Sequence, residues 1–100
     1  MPVDAATLKD SLGGKTPPPG LSRPVLALWH CGRGEWDAAH ALVQQAEGEP
    51  DHDWVHAHLH RVEGDLSNAG YWYRRAGRPA ARGALEAEWA QIAAALLARR

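Results

Sequence analysis

Histidine is the residue type in this sequence best suited to chemistry. Six histidines occur among 100 residues, and four of them lie close together at His52, His56, His58 and His60. On a helix, His52, His56 and His60 are spaced four residues apart and share one side, so neighbouring pairs can bind one metal ion while the outer two cannot meet. His58 lies on a different side, where we expect a packed histidine that makes one hydrogen bond.

A metal site on this helix needs ligands from elsewhere in the chain. His56 and His60 form the best pair, and Glu63 follows one helical turn later. Zinc or another divalent ion could bind there if His30, or an acid from another helix, completed the set. The predicted metal ligands are therefore His56, His60, His30 and Glu63. The sequence has no His-Glu-x-x-His motif and no paired cysteines, and His30 near a helix end has a structural interpretation as well.

Other reactive residue types give no legible active site. Cys31 is the single cysteine and is expected to be a small buried residue. Ser11, Ser22 and Ser67 fall at linkers or caps, where serine bonds to the backbone. Residues 13–16 end like a phosphate-binding loop, but the earlier glycine is missing and prolines follow. We predict no catalytic residue and no organic cofactor, and we favour a non-enzymatic interpretation.

Charge and hydropathy narrow the choice of partners. The formal net charge is −1, so no overall field attracts nucleic acid or an anionic membrane. The longest apolar run, at residues 93–98, is far shorter than the roughly 20 residues of a membrane span. Residues 1–12 lack the basic and apolar pattern of a secretory signal. We expect a cytoplasmic protein that binds neither nucleic acid nor membrane.

The apolar residues favour an all-α fold with a core of tryptophan packed among alanines. The sequence has five Trp, one Met, no Phe and many alanines. Residues 1–20 are predicted to form an N-terminal arm, with a short helix from Pro2 to Leu12 capped by Asp4 and then a proline-rich linker. Residues 21–100 are predicted to form a helical bundle domain.

Glycines, prolines and capping residues predict five helices in this domain. Ser22 is the expected cap of the first of them, Asp51 or Asp53 of the third, and Gly77 ends the fourth. The predicted bounds are 22–31, 35–46, 51–63, 66–76 and 83–99.

The chain repeats itself at an offset of 30 residues. The identical pairs are Val25/Val55, Ala27/Ala57, His30/His60, Gly34/Gly64, Ala39/Ala69 and Ala46/Ala76. Each copy reads as helix, glycine turn, acid and helix, which predicts two antiparallel helical hairpins.

The run from Gly64 to Gly77 resembles the second helix of Sel1-like and tetratricopeptide repeats, and residues 34–39 resemble the same element in the earlier copy. The resemblance implies that the two helices of each hairpin cross closely and that the aromatic-Arg-Ala run packs onto the next repeat. Residues 53–61 also resemble a segment of small uncharacterised bacterial proteins, which implies no function.

Two repeats are too few to bury a continuous core, so the ends of the stack need covers. We expect the final helix to cap one end, and the N-terminal arm or a second copy in a homodimer to cover the other. The function favoured by these features is a non-catalytic protein-interaction or self-assembly module, and the alternative is a small His-rich metal-binding protein or metal-dependent enzyme. Aromatic and arginine residues typical of interfaces give the predicted partner-binding set: Trp54, Arg61, Tyr71 and Arg74.

Overall fold

The computed structural model describes residues 3–98, and all regular structure in this range is helical. The predicted all-α class is thus confirmed. None of the helices in the described range is long and apolar enough to cross a bilayer. The helices are α1 (Ala5–Asp10), α2 (Arg23–Gly32), α3 (Trp36–Gln44), α4 (Pro50–Val62), α5 (Leu66–Ala76) and α6 (Leu85–Ala98), with a 3-10 turn at Ser11–Gly13 after α1.

Most helix ends lie close to their predicted positions. Asp4 caps α1 by accepting a hydrogen bond from the Thr7 amide at 2.8 Å. Gly77 ends α5 in the left-handed conformation, with φ of +72°. Ser22 occupies the cap position of α2, although its side chain makes no capping hydrogen bond. Pro2 and Arg99, which belonged to predicted helices, lie outside the described residues.

The start of α4 differs from the prediction. Glu49, not Asp51 or Asp53, is the cap, and its carboxylate accepts hydrogen bonds from the backbone amides of Asp51 and His52. The helix begins earlier because Pro50 suits the first helical position, where its missing N–H costs nothing.

Asp53, which was predicted as a possible cap of α4, instead bonds to the loop that precedes the helix. Its carboxylate is fully buried and accepts a hydrogen bond from the Gly48 amide at 3.0 Å. Asp53 therefore ties the loop between α3 and α4 to the first turns of α4, and this contact helps to set how the two helices face each other.

The two hairpins of the sequence repeat have matching turns. Gly34 between α2 and α3 has φ of +79°, and Gly64 between α4 and α5 has φ of +87°. In both turns the acid after the glycine donates its backbone N–H to the equivalent histidine carbonyl, Glu35 to His30 and Asp65 to His60, each at 2.9 Å.

Helix α4 lies at the centre of the molecule. It packs against α5, α3, α6 and α2, and every residue from His52 to His60 is buried. The final helix, α6, lies across α4 and α2 and also contacts α1. The Trp89 indole on α6 reaches between helices and donates to the Leu28 carbonyl at 2.8 Å.

The N-terminal arm packs onto this body. Helix α1 contacts α6 and α2, and its Leu8 is fully buried. The Ser11 hydroxyl accepts a hydrogen bond from the Trp29 indole at 3.0 Å. The core is tryptophan among alanines, as predicted: its buried members include Trp29, Trp54, Trp72 and Trp89 with Ala27, Ala39, Ala57 and Ala69.

The turn glycines offer a matched test of backbone strain. Replacing Gly64 by Ala forces a side chain into a left-handed conformation and should lower the free energy of unfolding by about 1 kcal/mol. Replacing Gly70, inside α5 with Arg74 at ordinary contact distance, should raise it by roughly 0.5–1 kcal/mol. Urea denaturation of the two variants measures both changes, and equal effects would contradict the turn assignment.

Candidate metal centre

The packing of α3 against α4, which are joined by the loop that contains Gly48, brings histidines from two helices together. Residues equally distant from Gly48 along the two helices face each other, so Trp36 meets His60 and His40 meets His56. Their ring centroids lie 5.8 Å and 4.7 Å apart, respectively.

Three imidazoles form a compact group at this contact. Ligand nitrogens of His40, His56 and His60 all lie within 4.8 Å of one another. The Nε2 atoms of His40 and His56 are 3.0 Å apart. Adjacent nitrogens in a tetrahedral zinc site are about 3.3 Å apart, given Zn–N bonds of roughly 2.0–2.1 Å. The spacing of this pair is therefore close to that of two ligands on one ion.

Glu63 contacts the far side of the His60 ring. Its carboxylate accepts a hydrogen bond from His60 Nδ1 at 2.7 Å, which leaves Nε2 of His60 for the cluster. A carboxylate behind a histidine in this way fixes the tautomer and orientation of a metal ligand. Glu63, predicted as a direct ligand, thus has the geometry of a supporting residue, although its oxygen also groups with His60 and Asp65 in a more exposed set.

Two tryptophans hold the histidine rings in place. Trp36 stacks on His40 with centroids 4.5 Å apart, and Trp72 of α5 stacks on His56 at 3.8 Å. The Trp36 indole is itself fixed by donating to the Leu59 carbonyl at 2.7 Å. These contacts order the rings before any ligand arrives.

Two of the three imidazoles have a lowered pKa and so favour the neutral form. Burial, together with two neighbouring imidazoles and the Arg75 guanidinium, lowers the pKa of His56 to about 3. Burial and the nearby His60 also lower the pKa of His40. Neutral imidazole is the form that binds metal, so protons compete weakly for these nitrogens.

The structure brings together two of the four predicted ligands. His56 and His60 lie in the cluster, whereas His30 is not a member and its Nδ1 lies 2.7 Å from Glu35. Sequence reasoning missed His40. The available signal was the short loop between α3 and α4, since His40 and His56 lie equally far from its Gly48 and antiparallel packing of these two helices brings such residues together.

The other two histidines of α4 lie outside the cluster. His58 is buried and packed, as predicted, and its Nδ1 donates to Glu88 at 2.6 Å. His52 Nδ1 lies 2.6 Å from Glu49, the cap of the same helix.

The predicted partner-binding residues differ in exposure, and their role stays a prediction. Trp54 is buried, and the Arg61 guanidinium donates to the buried Glu88 carboxylate at 2.9 Å. Tyr71 and Arg74 are exposed.

Comparison of the chain with family models, with curated proteins and with solved structures finds no match. The resemblance to Sel1-like and tetratricopeptide repeats stays a prediction, and the functional argument rests on the geometry described above.

The low pKa of His56 predicts acid destabilisation. The folded state holds His56 neutral down to a pKa of about 3, against an ordinary value of 6.5, so the unfolded chain binds more protons between these values. Stability is therefore fully present above the ordinary pKa and falls as the pH drops. We expect the free energy of unfolding to fall by at least about 1 kcal/mol between about pH 7.5 and pH 5.

The variant His56→Phe, which keeps a ring against Trp72 but cannot titrate, should lose much less stability over the same range. Urea denaturation at each pH measures this difference. His30→Gln, at a histidine outside the cluster, is the control and should retain the fall. If the stability of His56→Phe fell with pH as much as that of the wild type, His56 would not be the source of the acid destabilisation.

Proposed function

We propose that this protein binds one divalent transition-metal ion, with zinc the first candidate, through the Nε2 atoms of His40, His56 and His60. The observation that carries the proposal is the convergence of three imidazoles from α3 and α4, with ligand nitrogens within 4.8 Å of one another. Imidazole ligands suit zinc, copper, nickel and iron.

The hydrogen bonding of the cluster supports a cation at its centre. A neutral imidazole has one donor and one acceptor nitrogen. His60 uses its donor on Glu63, so its Nε2 is an acceptor, and its ring centroid lies 4.9 Å from that of His56 and 5.4 Å from that of His40. A single His40–His56 hydrogen bond cannot satisfy all three rings, whereas one metal ion accepts a lone pair from each.

Three protein ligands leave a fourth tetrahedral position for water or another molecule. His40 is only partly buried, so this side of the cluster is the route by which an ion enters. Glu63, the nearest carboxylate, is engaged by His60 and is not free to act as a general base. The arrangement supports metal binding rather than a specific metal-dependent reaction.

Zinc titration of the purified protein after chelator treatment tests the proposal. We expect one zinc per chain by isothermal titration calorimetry and a higher melting temperature with zinc bound. His40→Ala, at a partly exposed site on α3, should weaken binding by at least about 100-fold, and Glu63→Gln by about 10-fold. His30→Ala should bind zinc like the wild type. Absence of binding in the wild type, or unchanged affinity in His40→Ala, would overturn the proposal.

The interaction-module prediction has a separate readout. Native mass spectrometry of the same samples reports the number of subunits, and a dimer that persists in His40→Ala would support self-assembly independently of metal. A monomer under all conditions would contradict the predicted homodimer.

A further inference from the structure

A second feature of the molecule is a cleft of about 260 Å³ on the opposite side of α4 from the tryptophan-stacked histidines. It is bounded by α2, α4 and α6, with α1 at its rim. The walls are mainly apolar and include Leu12, Val62, Leu85 and Trp89. The polar groups are few: the His58 ring, the Cys31 thiol, and Lys9 and Glu86.

His58 is held in this cleft by a buried carboxylate. Glu88 accepts a hydrogen bond from His58 Nδ1 at 2.6 Å, and it also accepts from Arg61 at 2.9 Å and from the Tyr73 hydroxyl. Burial by itself raises the pKa of Glu88. The hydrogen bonds from His58, Tyr73 and Arg61 together outweigh this effect, so the pKa of Glu88 lies below its ordinary value. Glu88 is therefore an ionised carboxylate that fixes the proton of His58 on Nδ1.

This network orients one nitrogen. Because Nδ1 bonds to Glu88, Nε2 is the ring nitrogen of His58 that remains for the cleft, and in an imidazole with its proton on Nδ1 this nitrogen is a hydrogen-bond acceptor. Burying a carboxylate with three donors is expensive, and apolar residues of similar volume often stabilise a fold as well or better. What apolar residues cannot supply is a fixed hydrogen-bond acceptor within apolar walls.

The thiol in the cleft is not poised to react. Burial, and secondarily the charge of Glu88, raises the pKa of Cys31 to about 11, so the sulfur stays protonated near neutral pH. The chemistry of the cleft is thus hydrogen bonding and apolar contact.

We infer that this cleft is a binding site for a small apolar molecule that carries one O–H or N–H donor, such as a phenol. The donor group of this molecule forms a hydrogen bond to Nε2 of His58. A small apolar pocket with one oriented polar group is the usual form of a small-molecule site. The site is independent of the proposed metal centre, since His58 projects from a different side of α4 than His56 and His60.

The test compares p-cresol with toluene, which has the same methylated ring without the hydroxyl. In the full chain we expect saturable 1:1 binding of p-cresol, with changes in the NMR signals of the His58 ring nitrogens and the Trp89 indole. Toluene should bind about tenfold more weakly, because it leaves the buried acceptor unpaired.

Two substitutions on α6 separate this site from general surface binding. Ala90→Trp, at an exposed position that lines the cleft, should fill it and abolish p-cresol binding. Ala94→Trp, exposed one turn further along the same helix, is the matched control and should bind like the wild type. Equal affinity for the two probes, absence of saturable p-cresol binding, or unchanged binding in Ala90→Trp would overturn the inference.

Discussion

The structure depends on a central helix that is buried on every side and yet carries four histidines. A buried imidazole needs a partner for its ring nitrogens, because an unpaired polar group in the interior is costly. Helix α4 meets this demand only in part, since His52 Nε2 and His56 Nδ1 are buried without a hydrogen-bond partner among the described residues. Three of its histidines bond to a carboxylate, and His56 instead lies against other rings. The pairs with a carboxylate are His52–Glu49, His58–Glu88 and His60–Glu63.

The helical period divides these histidines between two environments. His56 and His60 face α3, where Trp72 stacks on His56, Trp36 meets His60 edge-on, and burial lowers the pKa of His56 to about 3. His58 faces α6, where an ionised carboxylate holds its proton. One helix therefore presents two imidazoles suited to a cation on one side and a single oriented imidazole nitrogen on the other. The matching glycine turns fold α3 back onto α2 and α5 back onto α4, and the loop that Asp53 holds through the Gly48 amide places α3 against α4.

Local rules predicted the helices well because they act within a few residues. Glycines in left-handed turns, Asp4 as a cap and the position of Gly77 are decided by nearby atoms. The start of α4 was misjudged because two acids competed with Glu49 and Pro50 for the first turn, and burial drew Asp53 towards Gly48 instead. The burial of Trp54 could not be read from composition, because the residue types typical of an interface are also those that a small core with no phenylalanine must use.

The sequence by itself determined the all-α class, the hairpin pattern, the pairing of His56 with His60 and the separate side of His58, since all of these follow from helix geometry and turn chemistry. Only the tertiary structure decided that His40 joins the cluster, that His30 does not, and that Glu88 lies beneath His58. The reason is physical. Contacts between helices depend on how each helix is rotated and offset against its neighbour, and that is set by packing of tryptophans against alanines and by the buried tie between Asp53 and Gly48.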